Sequence, residues 1–102
     1  MVPAIENAKG QLGDLCRRFH VRRLDLFGSA AREDDFRIDS DIDVIVDYDP
    51  AMAPPALGQI FAFRNELSEL LGRRVDLTMA GTVRNPFLRA AIERSRQRLY
   101  GA

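Results

Sequence analysis

Three aspartates occupy positions from which their carboxylates can act together. Asp41 and Asp43 lie two residues apart in a segment, 41–47, that alternates polar and apolar residues like a strand. Residues i and i+2 of a strand point to the same face and are separated by about 6.6 Å along the backbone. Two carboxylates at that spacing can bind hard cations such as Mg²⁺, which prefers carboxylates together with the phosphates of a nucleotide. A pair of such cations can bind both the attacking and the leaving oxygen of an in-line displacement.

A single Asp-x-Asp pattern is common, and the alternative is that both side chains only cover a solvated sheet face. Two further features favour a functional site. Gly28 and Ser29 end the preceding predicted strand, where backbone N–H groups can approach phosphate oxygens without a side chain in the way. Asp76 falls on the next predicted strand among apolar neighbours, where an unpaired carboxylate would be costly.

The elements that must position these residues follow from the periodicity of the chain. Apolar residues at helical spacing predict helices after Pro3 and over 57–71, the second closed by Gly72. Strands are predicted over 21–27, 41–47 and 74–79. Asn85 and Pro86 predict the start of a last helix that runs to about Leu99. The fold class is therefore α/β (α+β), a small mixed sheet with helices packed on one face.

Length and composition restrict the function further. The 102 residues fit a single domain, 1–102, and fifteen basic and fifteen acidic residues cancel, which argues against general nucleic-acid binding. One cysteine and one histidine exclude a disulfide framework and zinc sites built from these residues, so Cys16 is interpreted as a packing residue. No apolar run is long enough to span a membrane, and we expect a cytoplasmic protein.

The charges are sorted along the chain. Segment 33–49 holds eight acids and one base, whereas 84–98 holds five arginines and one acid. This pattern indicates a cation-binding region in the middle of the chain and a surface for an anionic partner at its end, although a solvated helix face would look the same. We expect Arg89, Arg94, Arg96 and Arg98 to dock a partner from the last helix.

The segments 26–32 (LFGSAAR) and 39–46 (DSDIDVIV), followed by Asp76 in RVDL, resemble the minimal nucleotidyltransferases of the DNA polymerase β superfamily. The resemblance covers nearly the whole chain and implies a polymerase β-like nucleotidyltransferase fold. This chain departs from the usual motif in the loop after Ser29. Eleven residues rather than ten precede Asp41, and Glu33-Asp34 replaces a glycine.

The resemblance also implies roles for particular residues. ATP is the substrate, with two Mg²⁺ ions as cofactors. Asp41 and Asp43 hold both ions, and Asp76 completes the catalytic metal site and helps to deprotonate the acceptor hydroxyl. The nucleotide-binding residues carried over from the family are Gly28 and Ser29 for the phosphates, with Arg32 and Arg37 as weaker candidates for the phosphate charge.

Short stand-alone members of this family are often antitoxins paired with a helical HEPN ribonuclease, and some transfer AMP from ATP to a tyrosine of that toxin. A chain this short must take its acceptor from outside, which fits a protein partner. The alternative is a catalytically silent module that neutralises its partner by binding alone, and the variant loop keeps it open. The acceptor, the base preference and the existence of a homo-oligomer stay open too. A phosphoacceptor receiver domain would need a lysine late in the chain, and none follows Lys9.

Overall fold

The computed structural model describes residues 3–28 and 41–101. The helices in this part of the chain are α1 (Pro3–Asn7), α2 (Lys9–Arg18), α3 (Leu57–Leu71) and α4 (Pro86–Ser95). The strands are β1 (Val21–Phe27), β2 (Ile42–Tyr48), β3 (Val75–Met79) and β4 (Gln97–Tyr100). Among these helices, none is both long and apolar enough to cross a membrane.

The four strands form one mixed sheet in the order β3-β2-β1-β4. β1 is antiparallel to β2 and β4, whereas β2 and β3 are parallel. The beginnings of β2 and β3 therefore lie beside the end of β1. At this end of the strands, Asp43 lies opposite both Phe27 of β1 and Asp76 of β3.

The main core lies between one face of the sheet and helices α2 and α3. Alternate strand residues such as Leu24 and Val44 point into it, because successive side chains of a strand face opposite sides. The helices contribute Leu12, Cys16, Phe63 and Leu67, all fully buried. The predicted fold class is confirmed. The predicted packing of helices on one face of the sheet holds for α2 and α3. Helix α4 contacts β1, and its buried Ile92 lies with Ile45 outside this core, on the opposite face.

The prediction that the last helix continues to Leu99 is wrong. α4 ends at Ser95, Arg96 is extended, and Gln97–Tyr100 pairs with β1 as an antiparallel strand. Pairing satisfies the backbone groups that the outer edge of β1 would otherwise expose. It also sets Arg98 opposite Asp25, where opposite charges stabilise a cross-strand pair.

The remaining elements match their predicted bounds closely. The N-terminal helix is interrupted at Ala8, while Asp41 and Arg74 each lie one residue before their strand. Gly72 adopts the left-handed conformation with φ 67°, as expected of a glycine that ends a helix. The Asn85 side chain accepts a hydrogen bond from the Phe87 N–H at 2.9 Å and begins α4 as predicted.

Candidate active site

Asp43 and Asp76 form the centre of the site. They occupy paired positions on the parallel strands β2 and β3, and their carboxyl groups are in hydrogen-bonding contact. Partial burial, the neighbouring charges of Asp76 and Asp41, and the hydrogen bond to Asp76 together raise the pKa of Asp43. Two carboxylates this close are stabilised when they share a proton or a cation.

Asp76 itself is exposed to solvent. The side chain faces away from the apolar layer, as the strand alternation predicts, so the cost expected for an unpaired carboxylate among apolar neighbours does not arise. Strand β3 is the end strand of the sheet, with β2 as its neighbour. An external group can reach this carboxylate without any rearrangement of the described residues.

Gly28 lies directly against the Asp43 carboxylate. It follows β1 with φ 73°, a conformation that residues with a side chain rarely adopt. A Cβ atom at this position would lie 2.6 Å from Oδ2 of Asp43. The glycine is thus required both by the backbone angle and by the approach of the acid.

The N–H of Gly28 is bound within the protein. It donates to Oγ of Ser95, the last residue of α4, at 3.1 Å, and that hydroxyl donates in turn to the Ala91 carbonyl at 3.1 Å. The sequence predicted instead that this N–H approaches a phosphate oxygen. Ser95 was not identified from the sequence, since a serine at the end of a predicted helix gives no indication of a partner far along the chain.

Asp41 lies one residue before β2, and its carboxylate is paired with Arg74. The Arg74 Nε donates to Asp41 Oδ1 at 2.9 Å, with 80% of the arginine side chain and 42% of the aspartate side chain exposed. An ion pair this exposed contributes only about 0–1 kcal/mol. Asp41 can therefore exchange Arg74 for another cation at little cost.

The donor set fits a hard cation such as Mg²⁺. Among residues 3–28 and 41–101, no three acidic, histidine or cysteine side chains converge as they stand, and the Asp41 carboxylate is paired with Arg74. Asp43 and Asp76 nevertheless place carboxylate oxygens together, which is the ligand type that Mg²⁺ prefers. A cation would also relieve the repulsion that raises the pKa of Asp43.

Three of the residues assigned from the family lie outside the described part of the chain. These are Ser29, Arg32 and Arg37. Their assignment to the nucleotide therefore stays a prediction.

A buried charge cluster on β1, the strand that ends at the site, was missed from the sequence. Asp25 of β1 is only 1% exposed and accepts hydrogen bonds from Nε of Arg96 and, at 2.5 Å, from Nε of Arg98. A buried carboxylate needs such partners, because its desolvation is otherwise uncompensated. The one available signal was a lone acid inside the apolar half of strand β1. Arg96 and Arg98 thus bind Asp25, which contradicts their predicted role in docking from a helix.

A mixed sheet that brings carboxylates from two neighbouring strands against a glycine turn is the arrangement of a nucleotidyltransferase. Residues 8–99 match the family model of the nucleotidyltransferase domain, and the chain belongs to this family.

Similar proteins agree with this membership. A candidate protein adenylyltransferase of Methanocaldococcus jannaschii is 37% identical over 79 residues, which are 78% of this chain and 76% of the relative. The structure of a candidate minimal nucleotidyltransferase superposes with a TM-score of 0.73 at 29% identity, covering 90% of this chain and 89% of the other. A chain in the solved complex of an MNT antitoxin with the tri-AMPylated HEPN toxin of Shewanella oneidensis has the same fold. Its TM-score is 0.66 at 18% identity, and the match covers 96% of this chain and 73% of the other.

Proposed function

We propose that this chain transfers AMP from ATP to a hydroxyl group, a tyrosine in particular, of a partner protein. The observation that carries the proposal is the contact of Asp43 with both Asp76 and Gly28 in a member of the nucleotidyltransferase family. The name of the Methanocaldococcus relative, a candidate protein adenylyltransferase, supports AMP as the transferred group and a protein as the acceptor.

Two Mg²⁺ ions are the proposed cofactors. Asp41 and Asp43 would hold both, and Asp76 would complete the catalytic one. When bound, the ions neutralise the triphosphate and lower the pKa of the acceptor hydroxyl. Gly28 leaves the space that the Asp43 carboxylate needs, while Ser29 and Arg32 are proposed to bind the phosphates.

The proposed reaction forms one bond and breaks one. The acceptor oxygen bonds to the α-phosphorus of ATP, the bond from that phosphorus to the oxygen bridging the α- and β-phosphates breaks, and pyrophosphate leaves. Asp76 accepts the proton of the acceptor hydroxyl, as a positioned base does in this type of step. Its exposure supports this role, because the hydroxyl comes from another molecule.

The proposed partner is a HEPN-type toxin, with this chain as its antitoxin. The solved complex of an MNT antitoxin with a tri-AMPylated HEPN toxin supports this pairing. Both ATP and such a toxin would meet this chain in the cytoplasm. We further propose that residues 1–102 act as one nucleotidyltransferase domain, since the family match spans 8–99.

Helix α4 and the turn before it supply the surface proposed to dock the partner. Arg84, Arg89 and Arg94 are exposed and form no ion pair with any described residue, and Phe87 beside them is 84% exposed. Arginine and aromatic residues are enriched at protein interfaces. Replacing the three arginines by glutamate should slow toxin modification at limiting toxin concentration and leave ATP binding unchanged. Lys9→Glu, an exposed charge reversal on α2, is the control, and equal slowing by both changes would contradict the assignment.

The silent-module alternative makes a different prediction for one variant. Asp41→Asn combined with Asp43→Asn removes two of the three proposed metal ligands without touching the α4 surface. If the chain is an enzyme, cells that produce the toxin grow with the wild-type antitoxin and stop growing with this double variant. Full protection by the double variant, at equal protein levels, would favour neutralisation by binding alone.

A further inference from the structure

We propose that Ser95 is a positioning residue for the transfer reaction, and that it acts by holding Gly28 against the Asp43 carboxylate. The inference rests on the proposed role of Asp43 in metal-dependent transfer. It adds a residue that neither the sequence motif nor the family match singles out.

The hydrogen bonds of the Ser95 hydroxyl are directional. A serine hydroxyl has one proton to donate and lone pairs that accept. The proton is donated to the Ala91 carbonyl, so the oxygen presents a lone pair to the N–H of Gly28. Both contacts are partly buried, which limits competition from water.

The helix end that carries Ser95 is itself fixed to β1. Arg96, the next residue, binds the buried Asp25 and also donates to Glu93 Oε1 at 2.7 Å. Asp25 lies three residues before Gly28 on the same stretch of backbone. Ser95 and Gly28 are therefore linked directly by their hydrogen bond and indirectly by the ion pair between Arg96 and Asp25. These two links leave the serine oxygen little freedom to move.

A fixed Gly28 determines where the Asp43 carboxylate can lie. The α-carbon of Gly28 is so close that an added Cβ would lie 2.6 Å from Oδ2 of Asp43. Loosening the turn lets both groups shift, and displacements of about 1 Å at a reacting centre can cost about 100-fold in rate. It also follows that the N–H of Gly28 serves the fold, and that this glycine contributes through its missing side chain.

The test compares Ser95→Ala with Ser95→Thr, which keeps the hydroxyl. Thr82→Ala is the control, since it removes a hydroxyl that donates to a backbone carbonyl, Met79 at 2.7 Å, in another turn. Two quantities are measured: kcat and KM for ATP during AMP transfer, and Mn²⁺ binding to the nucleotide-free protein by electron paramagnetic resonance.

We expect Ser95→Ala to lower kcat or weaken Mn²⁺ binding by about 10-fold, the usual effect of losing a group that orients a ligand. KM for ATP should change little, Ser95→Thr should recover most of the loss, and Thr82→Ala should behave as wild type. If Ser95→Ala does not fold, Ser95→Cys keeps the volume with a weakly accepting sulfur and gives the same comparison.

Wild-type kcat and Mn²⁺ binding in Ser95→Ala, with only a lower melting temperature, would overturn the proposal. Tighter ATP binding in that variant at unchanged kcat would overturn it as well, because the freed N–H would then be a phosphate donor. Absence of AMP transfer by the wild-type chain would reject the proposed function instead, and Mn²⁺ binding would still decide the role of Ser95.

Discussion

Asp43 and Asp76 face each other across the parallel strands β2 and β3 with their carboxyl groups in hydrogen-bonding contact. Partial burial raises the pKa of Asp43, and the neighbouring carboxylates of Asp76 and Asp41 raise it further, so ionisation of Asp43 is disfavoured. The unmetallated fold therefore bears an electrostatic cost at neutral pH that a bound cation would remove.

Asp43→Asn should raise the melting temperature at pH 7 in the absence of Mg²⁺. The raised pKa means that the folded chain binds the Asp43 proton more tightly than the unfolded chain, so this residue lowers stability as pH rises above about 4. The gain should vanish below about pH 4, where the carboxyl is protonated in both states. Thermal melts of both proteins at pH 3.5 and 7 test this, and a gain of equal size at both values would contradict the electrostatic explanation.

Gly28→Ala should abolish most activity while the sheet still forms. Alanine at this position must adopt the left-handed backbone conformation, which costs about 1–2 kcal/mol. Its methyl group also forces the Asp43 carboxylate away. We expect a fall in kcat of about 100-fold. Gly58→Ala is the control, since a Cβ there meets no atom within 4 Å. A Gly28→Ala enzyme with normal kcat would show that the close approach has no catalytic importance.

Asp76→Asn should slow transfer far more than it weakens ATP binding. Its proposed work, holding the catalytic metal and accepting the acceptor proton, concerns mainly the transition state. We expect kcat to fall at least about 100-fold, with the dissociation constant for ATP within a few-fold of wild type. Single-turnover rates and calorimetric titration measure the two effects separately. Loss of ATP binding with normal turnover at saturation would mean that the assigned role is wrong.

Cys16 should be inert in the folded protein. It is fully buried in the core, and its burial raises the pKa of the thiol to about 12, so almost none is thiolate at pH 8. Iodoacetamide should label the native chain far more slowly than the chain unfolded in urea. Similar rates for the two states would contradict the packing role predicted from the helical stripe.

The sequence predicted the parts of the site that depend on local pattern. Alternation placed Asp41 and Asp43 at the start of one strand and Asp76 on another, and both strands are found within one residue of the predicted bounds. The pairing of Asp43 with Asp76 required the sheet order, which follows from chain topology and not from a local pattern.

Contacts between residues that are far apart along the chain could not be predicted. Ser95 and Leu99 fit the apolar side of a helix, but the chain leaves the helix at Arg96 because β1 offers an open edge and a buried carboxylate, Asp25. A four-residue strand is too short to show alternation. The bond from Gly28 to Ser95 spans 67 positions, and no pattern within either segment indicates it.

The most direct test of the central claim is label transfer from ATP carrying radioactive phosphorus in the α-phosphate, with Mg²⁺ and a HEPN-type toxin as the acceptor. We predict that label becomes covalently attached to a tyrosine of the toxin, that γ-labelled ATP gives none, and that Asp41→Asn with Asp43→Asn abolishes attachment while the toxin still binds. Label transfer by the double variant at the wild-type rate, or toxin neutralised by the wild-type chain without any covalent label, would contradict the account.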